Sequence, residues 1–198
     1  MPRLDKPDRR HVLIAGAVGA AGMSLPGIAG AQELSPTPEC RDAHDATPRQ
    51  TEGPFYKPKS PQRADLIEAT TKGRALQLSG LVLTRDCRPV SGVLVDLWHA
   101  DENGDYDNRG FRYRGHQFTD AAGRYRFRTI QPALYPGRAR HYHVKVQAPN
   151  RPILTTQLYF PGEPQNERDG LFRRELLMQV ATVGEGLAGR FDFVLDMR

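Results

Sequence analysis

Short runs of alternating apolar and polar residues recur along the chain from Leu76 onward. The apolar and alternating runs cover residues 76–84, 90–100, 124–130, 141–148, 153–160 and 190–196. Successive side chains of a strand point to opposite faces of a sheet, so a period of two predicts strands. Asp, Asn, Gly and Pro separate these runs, as is typical of turns. The pattern therefore predicts an all-β protein folded as an antiparallel β-sandwich.

Two other stretches lack this alternation. Residues 32–75 are rich in Pro, Thr, Asp and Arg and have no sustained helical period, so we predict an irregular N-terminal arm with short turns. Residues 163–180 are the one segment that resembles a helix, and Gly170 should shorten and distort it. We expect at most one or two short helices, and we assign the β-sandwich domain to residues 76–198.

The N-terminal residues 1–31 have the organisation of a targeting segment. Arg9 and Arg10 precede a weakly apolar run rich in Ala and Gly, which ends at the small-x-small sequence Ala29-Gly30-Ala31. This order predicts a twin-arginine-type signal peptide and a periplasmic or secreted mature chain that begins near Gln32. An ordinary buried helix is the alternative. No stable membrane span is predicted, because a span needs about 20 strongly apolar residues.

Composition limits the partners and the redox chemistry. The net charge of +5 is moderate, and the basic residues are interspersed with apolar and acidic ones, so no nucleic-acid partner is predicted. The two cysteines are Cys40 and Cys87. In an oxidising compartment an even pair usually forms a disulfide, which here would join the arm to a turn between strands. A zinc site would need further soft ligands near them.

His141 and His143 begin one of the alternating runs, so both imidazoles should point to the same face of a strand. Tyr135 precedes them in a Tyr-Pro-Gly turn, and Tyr106 lies in the polar loop 101–110. Two imidazoles and two phenolates would make a hard, anionic set of ligands. A strong Lewis acid such as ferric iron is needed to keep phenols ionised at neutral pH. Taken separately, each residue also fits a half-exposed pair, a packing tyrosine or a surface aromatic, so spacing alone indicates only a possible metal site.

Several phrases of the sequence resemble the intradiol ring-cleavage dioxygenases, the family of protocatechuate and catechol dioxygenases. The resemblance extends from Thr51 to about Phe160, and more weakly to the last strand. Its marks are Thr51-Glu52-Gly53-Pro54-Phe55-Tyr56, Val95-Asp96-Leu97-Trp98-His99-Ala100-Asp101, Gly104-Asp105-Tyr106, Gly123-Arg124-Tyr125-Arg126-Phe127-Arg128-Thr129-Ile130, Tyr135-Pro136-Gly137-Arg138 and His141-Tyr142-His143. The resemblance implies a β-sandwich that holds one mononuclear non-haem Fe(III), with no nicotinamide cofactor.

The resemblance also implies a role for particular residues. It makes four residues the iron ligands: Tyr106, Tyr135, His141 and His143. Tyr106 would be the tyrosine that the substrate displaces. Arg138 matches an arginine that lies against the substrate, Gln157 matches a glutamine beside that arginine, and Tyr56 would border the substrate cavity. The implied reaction cleaves a catecholic ring between its two hydroxylated carbons with O2, and gives a cis,cis-muconate-type product.

The sequence departs from the best-known members in two ways. Tyr142 replaces the usual aliphatic residue between the two histidines, and it should face the other side of the strand and affect packing. Residues 32–75 are also too short for the long helical N-terminal region of the dimers that cleave catechol. This favours a compact domain like a protocatechuate dioxygenase subunit, although the arm and an open sheet edge would also suit a homo-oligomer.

Other functions stay open at this stage. One alternative is a secreted β-sandwich module that binds aromatics or a metal without turnover. A zinc or copper hydrolase built on His141 and His143 has little support without a third acid or imidazole in register. His99 and His116 are interpreted as structural or as residues that support the ligands. The accepted ring substituents are not predicted. Arg109, Arg112 and Arg114 would either attract a carboxylated substrate or face solvent.

Overall fold

Two β-sheets with a shared apolar core make up the part of the chain that this computed structural model describes, residues 45–198. The strands in these residues are β1 (Ala75–Thr84), β2 (Leu94–Trp98), β3 (Arg114–Phe118), β4 (Arg124–Ile130), β5 (His141–Gln147), β6 (Leu154–Tyr159), β7 (Gln179–Val183), β8 (Gly186–Arg190) and β9 (Phe193–Leu195). The predicted all-β sandwich is confirmed.

The first sheet has the strand order β4-β1-β8-β7, with β9 also paired to β1. β1 and β4 pair antiparallel from Ala75 opposite Ile130 to Leu81 opposite Arg124. β1 pairs in parallel with β8 and with β9. The sheet is therefore mixed. β7 and β8 form a short antiparallel hairpin, and this hairpin brings β8 alongside β1 in the parallel direction.

The second sheet has the order β3-β2-β5-β6, and all its pairs are antiparallel. One row of directly opposed residues crosses all four strands: Arg114, Trp98, His143 and Gln157. Directly opposed residues project from the same face of a sheet. The register therefore places Trp98 and Gln157 on either side of the His143 imidazole.

The helical prediction for residues 163–180 was wrong in its extent. Among the described residues this region contains two single 3₁₀ turns, Pro164–Glu167 and Arg174–Leu176, and β7 already begins at Gln179. Pro164 is tolerated in the first turn, but the Asp169-Gly170 pair that follows favours a turn over a continuing helix, and Phe172 N donates to Asp169 O there. Within residues 45–198, the expectation of at most one or two short helices is confirmed.

The described part of the N-terminal arm, residues 45–74, is irregular but closely tied to both sheets. Gln50 N donates to Thr155 O at 2.8 Å, and Leu66 N donates to Arg128 O at 2.8 Å. The Leu66 side chain is completely buried in the apolar core. The arm therefore contributes to the core of the sandwich as well as covering its surface.

Some sequence predictions lie outside the described residues. They concern the signal peptide of residues 1–31 and the Cys40 partner of the predicted disulfide. Cys87 lies in the turn after β1 with a positive φ of 57°. The domain boundaries, the export and the disulfide therefore stay predictions. Residues 45–198 contain no helix that is long and apolar enough to cross a membrane.

Candidate metal centre

Three potential ligand atoms meet at the start of β5. The Nε2 atoms of His141 and His143 lie 3.1 Å apart, and the Tyr106 hydroxyl lies 3.3 Å from His141 Nε2. The Tyr135 ring packs edge-to-face on that of Tyr106, with centroids 5.9 Å apart. The structure thus brings the four predicted ligands, from two loops and one strand, into one cluster.

The hydrogen bond of His141 leaves a lone pair that faces this cluster. His141 Nδ1 donates to Ala139 O at 2.6 Å, which makes Nε2 the unprotonated nitrogen. Burial lowers the pKa of His141 to about 4. Burial also lowers the pKa of His143 well below the usual range, and the electrostatic effects of His141 and Arg138 lower it further. Two neutral imidazoles whose Nε2 atoms are this close repel each other unless a proton or a cation lies between them.

The spacing of these atoms fits one metal ion. Two metal–nitrogen bonds of about 2.1 Å that meet at about 95° place the nitrogens about 3.1 Å apart, as His141 and His143 show. Among residues 45–198, no three His, Cys, Asp or Glu side chains form a metal-binding group. A metal held here therefore needs the tyrosines as ligands. Burial raises the pKa of Tyr106 above its ordinary value, so only a strong Lewis acid such as Fe(III) would keep this phenol ionised.

The loop that carries Tyr106 is held by two aspartates, one on each side. Asp101 Oδ1 accepts hydrogen bonds from the backbone N–H groups of the next turn, and the Asp107 carboxylate does the same for the turn that follows. Gly104 has a φ of 93°, and a Cβ there would lie 2.5 Å from Leu134 O. The Tyr106 loop is therefore rigid and packs closely on the turn that precedes Tyr135.

The turn that carries Tyr135 has fewer constraints. Its backbone closes through Arg138 N, which donates to Tyr135 O at 3.0 Å, and Gly137 adopts a positive φ of 77°. Leu134, Pro136 and Gly137 are exposed. The fold thus supplies one firmly held tyrosine and one on an exposed turn.

Arg138 and Gln157 form a hydrogen-bonded pair next to the histidines. Arg138 Nη2 donates to Gln157 Oε1 at 2.6 Å, and Gln157 Nε2 donates to Thr51 O at 3.0 Å. Gln157 is completely buried, directly opposite His143 in the register of β5 and β6. The predicted position of Gln157 beside Arg138 is therefore observed.

Asp169 anchors this pair and was missed by the sequence analysis. Its carboxylate accepts hydrogen bonds from Arg138 Nε at 2.9 Å and from the backbone N–H groups of Ala139 and Leu171, each at 2.9 Å. Burial raises the pKa of Asp169, but these hydrogen bonds and the charge of Arg138 lower it overall. Asp-Gly is a common turn dipeptide, so nothing in the local sequence marked this carboxylate as an ion-pair partner.

Tyr159 is a second missed member of this group. Its hydroxyl lies 3.0 Å from Gln157 Oε1 and 2.9 Å from Leu171 O. Burial raises its pKa to about 12, so it stays a neutral hydrogen-bond donor. We use the name guanidinium cluster for Arg138, Gln157, Tyr159 and Asp169.

The phrase Thr51–Tyr56 covers the centre from the arm. Gly53 has a φ of 71°, and a Cβ there would lie 3.2 Å from His143 Cε1. Phe55 stacks on Tyr106 with centroids 4.4 Å apart, and its edge faces Tyr135. Tyr56 lies further out, because its ring packs on Trp98, which in turn stacks on His143. Phe55 rather than Tyr56 is thus the aromatic residue of this phrase that contacts the tyrosines.

The spare histidines have structural surroundings. His99 is buried, with Nδ1 2.7 Å from Ala100 O and Nε2 2.6 Å from Thr129 Oγ1. His116 Nδ1 lies 3.1 Å from the Ser60 hydroxyl. Both nitrogens of His99 and Nδ1 of His116 are therefore engaged away from the metal cluster.

Comparison with known proteins shows the family of this chain. The family model described as Dioxygenase matches residues 51–197. A catechol 1,2-dioxygenase 2 of Acinetobacter lwoffii is 33% identical, over 60% of this chain and 52% of that protein. A catechol 1,2-dioxygenase of Acinetobacter baylyi is 29% identical, over 78% of this chain and 60% of that protein. The chain therefore belongs to the intradiol ring-cleavage dioxygenase family, although it spans little more than half the length of these two relatives.

A solved structure supports the same assignment. The dioxygenase domain of a dioxygenase–carbohydrate-binding protein fusion from Streptomyces sp. SirexAA-E is 58% identical and superposes with a TM-score of 0.76. The match covers 78% of this chain and all of that one. This similarity extends the family assignment to a three-dimensional fold.

Proposed function

We propose that this protein is a non-haem Fe(III) intradiol dioxygenase that cleaves a catecholic ring between its two hydroxylated carbons with O2, giving a cis,cis-muconate-type product. The observation that carries the proposal is the position of His141 Nε2, 3.1 Å from His143 Nε2 and 3.3 Å from the Tyr106 hydroxyl, with the Tyr135 ring packed on that of Tyr106. The family membership supports it independently. Small catecholic aromatics and O2 are the proposed substrates.

The four predicted ligands would hold one ferric ion. When bound, this ion supplies the Lewis acidity that makes a chelated catecholate reactive toward O2. His141 is fixed as a ligand by Ala139 O, which orients its ring and selects its tautomer. Gly53 allows the arm to cover His143 without a clash, and this cover limits the access of water.

One of the two tyrosines, held as a phenolate in the iron-loaded protein, would accept a proton from the catechol. The family resemblance pointed to Tyr106. The packing favours Tyr135 instead, because Tyr106 is stacked on Phe55 and its loop is held by Asp101 and Asp107. Tyr135 lies in an exposed turn with a single backbone hydrogen bond across it. We therefore propose Tyr135 as the tyrosine that would accept the proton and Tyr106 as the one that would remain a metal ligand.

Arg138 supplies a fixed positive charge beside the reacting ring. Its position is set before the substrate arrives, because Asp169 holds Nε and Gln157 holds Nη2. Charge placed in advance stabilises developing oxyanions without any cost of reorganisation during the reaction. Gln157, fixed in turn by Thr51 O, keeps this guanidinium next to His143.

Oxygen uptake with a panel of catechols tests the proposal directly. The iron-loaded protein should consume O2 and form a muconate-type absorbance, and His143→Ala should lose iron and activity. Tyr135→Phe should largely abolish turnover. Tyr125→Phe is the control, because Tyr125 lies on β4 in the other sheet and its buried hydroxyl donates to Phe191 O, so activity should stay unchanged. A protein that binds catechols and iron but consumes no O2 would instead be a binding module without turnover.

We also propose that the protein is exported by the twin-arginine route to the periplasm or the medium. The support is the sequence alone, namely Arg9 and Arg10 before a weakly apolar run and the small residues before Gln32. N-terminal sequencing of the protein from the periplasmic fraction should give a start near Gln32. Retention of residues 1–31 would contradict the proposal.

A further inference from the structure

The two proposed histidine ligands are held in different ways. His141 Nδ1 donates to Ala139 O at 2.6 Å, so a hydrogen bond fixes the rotation of its ring. His143 Nδ1 is buried and has no hydrogen-bond partner among residues 45–198. A histidine that binds a metal almost always donates its other ring N–H to an acceptor. Another kind of contact must therefore hold the His143 ring.

The neighbours of His143 in its sheet offer no acceptor for Nδ1. Gln157, opposite it on β6, has both amide atoms engaged with other residues. On the other side of His143 lie Trp98 of β2 and then Arg114 of β3. Trp98 Nε1 and both Nη atoms of Arg114 are donors only, and within the described part of the chain they too are buried without a partner. No side chain of this row therefore orients the His143 ring through a hydrogen bond.

The flat face of the Trp98 indole contacts the His143 ring instead. The two rings are nearly parallel, with an interplanar angle of 8° and centroids 5.0 Å apart. The strands fix this pairing, because Trp98 lies directly opposite His143 in the register of β2 and β5. A Cβ at Gly53 would lie 3.2 Å from His143 Cε1, so the backbone of the arm restricts one edge of the same ring. The imidazole is thus bounded by an aromatic face and by the arm.

Trp98 is fixed in turn by its own surroundings. It is 1% exposed, and the Tyr56 ring packs on it with centroids 4.9 Å apart. Lys145 Nζ lies 4.2 Å from the centroid of the Tyr56 ring and pairs with the Glu52 carboxylate of the arm. A buried indole with these neighbours has little freedom to rotate, so it provides a rigid face for the imidazole.

We propose that Trp98 is a positioning residue of the metal centre, whose stacking on His143 directs Nε2 of that imidazole towards the ion. This inference rests on the proposed function and its ligand set, and it adds a residue that acts through His143. Parallel, offset rings attract each other and resist rotation of one ring against the other. One histidine ligand is thus oriented by a backbone carbonyl, and the other by an aromatic face.

Three variants separate this role from simple core packing. Trp98→Phe keeps an aromatic face, whereas Trp98→Leu keeps an apolar side chain and removes that face. Phe193→Leu is the matched control, because Phe193 is a completely buried aromatic residue on β9 in the other sheet. Both leucine variants should lower the unfolding free energy of the protein, because each leaves a cavity in the core.

The first measurement is the affinity of the full chain for ferric iron, determined by competition with a chelator. Trp98→Leu should bind iron about tenfold more weakly than wild type, because residues that orient a metal ligand have effects of that size. Trp98→Phe should stay within about threefold of wild type, and Phe193→Leu within about twofold. The electron paramagnetic resonance signal of the bound Fe(III) should change its shape in Trp98→Leu alone, because a rotated imidazole alters the ligand field.

The second measurement follows the His143 ring itself, by NMR of the iron-free chain with labelled histidine. Wild type should show a nuclear Overhauser effect between His143 Hε1 and the Gly53 Hα protons, because the arm backbone contacts that edge of the ring. Trp98→Phe and Phe193→Leu should keep this signal, and Trp98→Leu should lose it. If Trp98→Leu does not fold, Tyr56→Leu takes its place, with Tyr56→Phe as the conservative variant, since it removes the ring that packs on Trp98.

The outcomes separate this inference from the dioxygenase proposal. Equal iron affinity in Trp98→Leu and Phe193→Leu, or an undiminished His143 signal in Trp98→Leu, would show that Trp98 only fills the core and would overturn the inference; the same results in Tyr56→Leu would do so where that variant is used. A wild type that binds iron but turns over no catechol would refute the dioxygenase proposal and leave the inference to the measured affinities. A wild type that binds no ferric iron would refute both.

Discussion

Replacing Asp169 by Asn removes the buried counter-charge of Arg138 while keeping the size of the side chain. The Asp169 side chain is 2% exposed and that of Arg138 is 18% exposed, so the ion pair is largely shielded from water. The carboxylate also accepts hydrogen bonds from Ala139 N and Leu171 N. An Asn has one acceptor oxygen for these donors and adds an NH₂ group that faces them.

The expected loss follows from these contacts. Breaking a buried pair costs about 3–5 kcal/mol, and the partial exposure of Arg138 and the remaining amide oxygen reduce this to about 2–4 kcal/mol of unfolding free energy. For a domain of this size the melting temperature should fall by about 4–16 °C. The catalytic constant should fall at least about tenfold as well, because Arg138 is no longer held in position.

Urea or thermal unfolding of the iron-free proteins measures this loss, with Asp65→Asn as the matched control. Asp65 pairs with Arg128 at 2.8 Å, but both side chains are more than half exposed, so the control should lose under about 1 kcal/mol of unfolding free energy.

The pH dependence of stability supplies a second test of the Asp169 role. Because the folded pKa of Asp169 is lowered, its stabilisation is present above the unfolded value of about 3.9 and is lost as pH falls through the folded pKa. The variant should therefore approach wild type in acid. A loss at neutral pH no larger than that of the control would refute the assigned role.

Three further predictions concern the scaffold. Gly80→Ala should unfold the domain or lower its unfolding free energy by at least about 3 kcal/mol, because a Cβ would lie 1.8 Å from Phe191 O. Chemical denaturation measures this loss, and a variant as stable as wild type would contradict the close packing of β1. The folded pKa of His99 is lowered to about 4 by burial, so its unfolded state takes up a proton first and stability should fall between about pH 6.5 and pH 4. His99→Gln should show a shallower slope over that range, and an unchanged slope would exclude His99 as its source. The predicted Cys40–Cys87 disulfide is tested by thiol titration of the exported protein in denaturant. The titration should find no free thiol before reduction and two after it. Free thiols before reduction would exclude the pairing.

The elements with strong alternation could be predicted from the sequence. β1, β4 and β5 agree with the predicted runs within one residue at each end, because each has one face on the apolar core. β3, Arg-Gly-His-Gln-Phe, was missed because it has almost no apolar side chains and forms through its pairing with β2. β8, Gly-Leu-Ala-Gly-Arg, was also missed. Its two glycines weaken the strand pattern, and the strand forms through its pairing with β1. Tertiary pairing thus overrides weak local propensity in both strands.

The candidate site was predictable where the residues are close in sequence. His141, His143 and Arg138 belong to one stretch, and the period of a strand places the two imidazoles together. The guanidinium cluster was only partly predictable, because Asp169 lies 31 residues after Arg138 and reaches it only through the folded chain. The position of Phe55 against Tyr106 likewise depends on how the arm lies over the sheet.

The visible spectrum of the iron-loaded protein tests the central claim most directly. Two tyrosinates bound to Fe(III) should give a burgundy colour through a broad charge-transfer band, and an added catechol should shift that band. Tyr106→Phe and Tyr135→Phe should each weaken it, whereas Tyr125→Phe should leave it intact. A protein that takes up no ferric iron, or that stays colourless after taking it up, would contradict the assignment of Tyr106, Tyr135, His141 and His143 as the metal ligands.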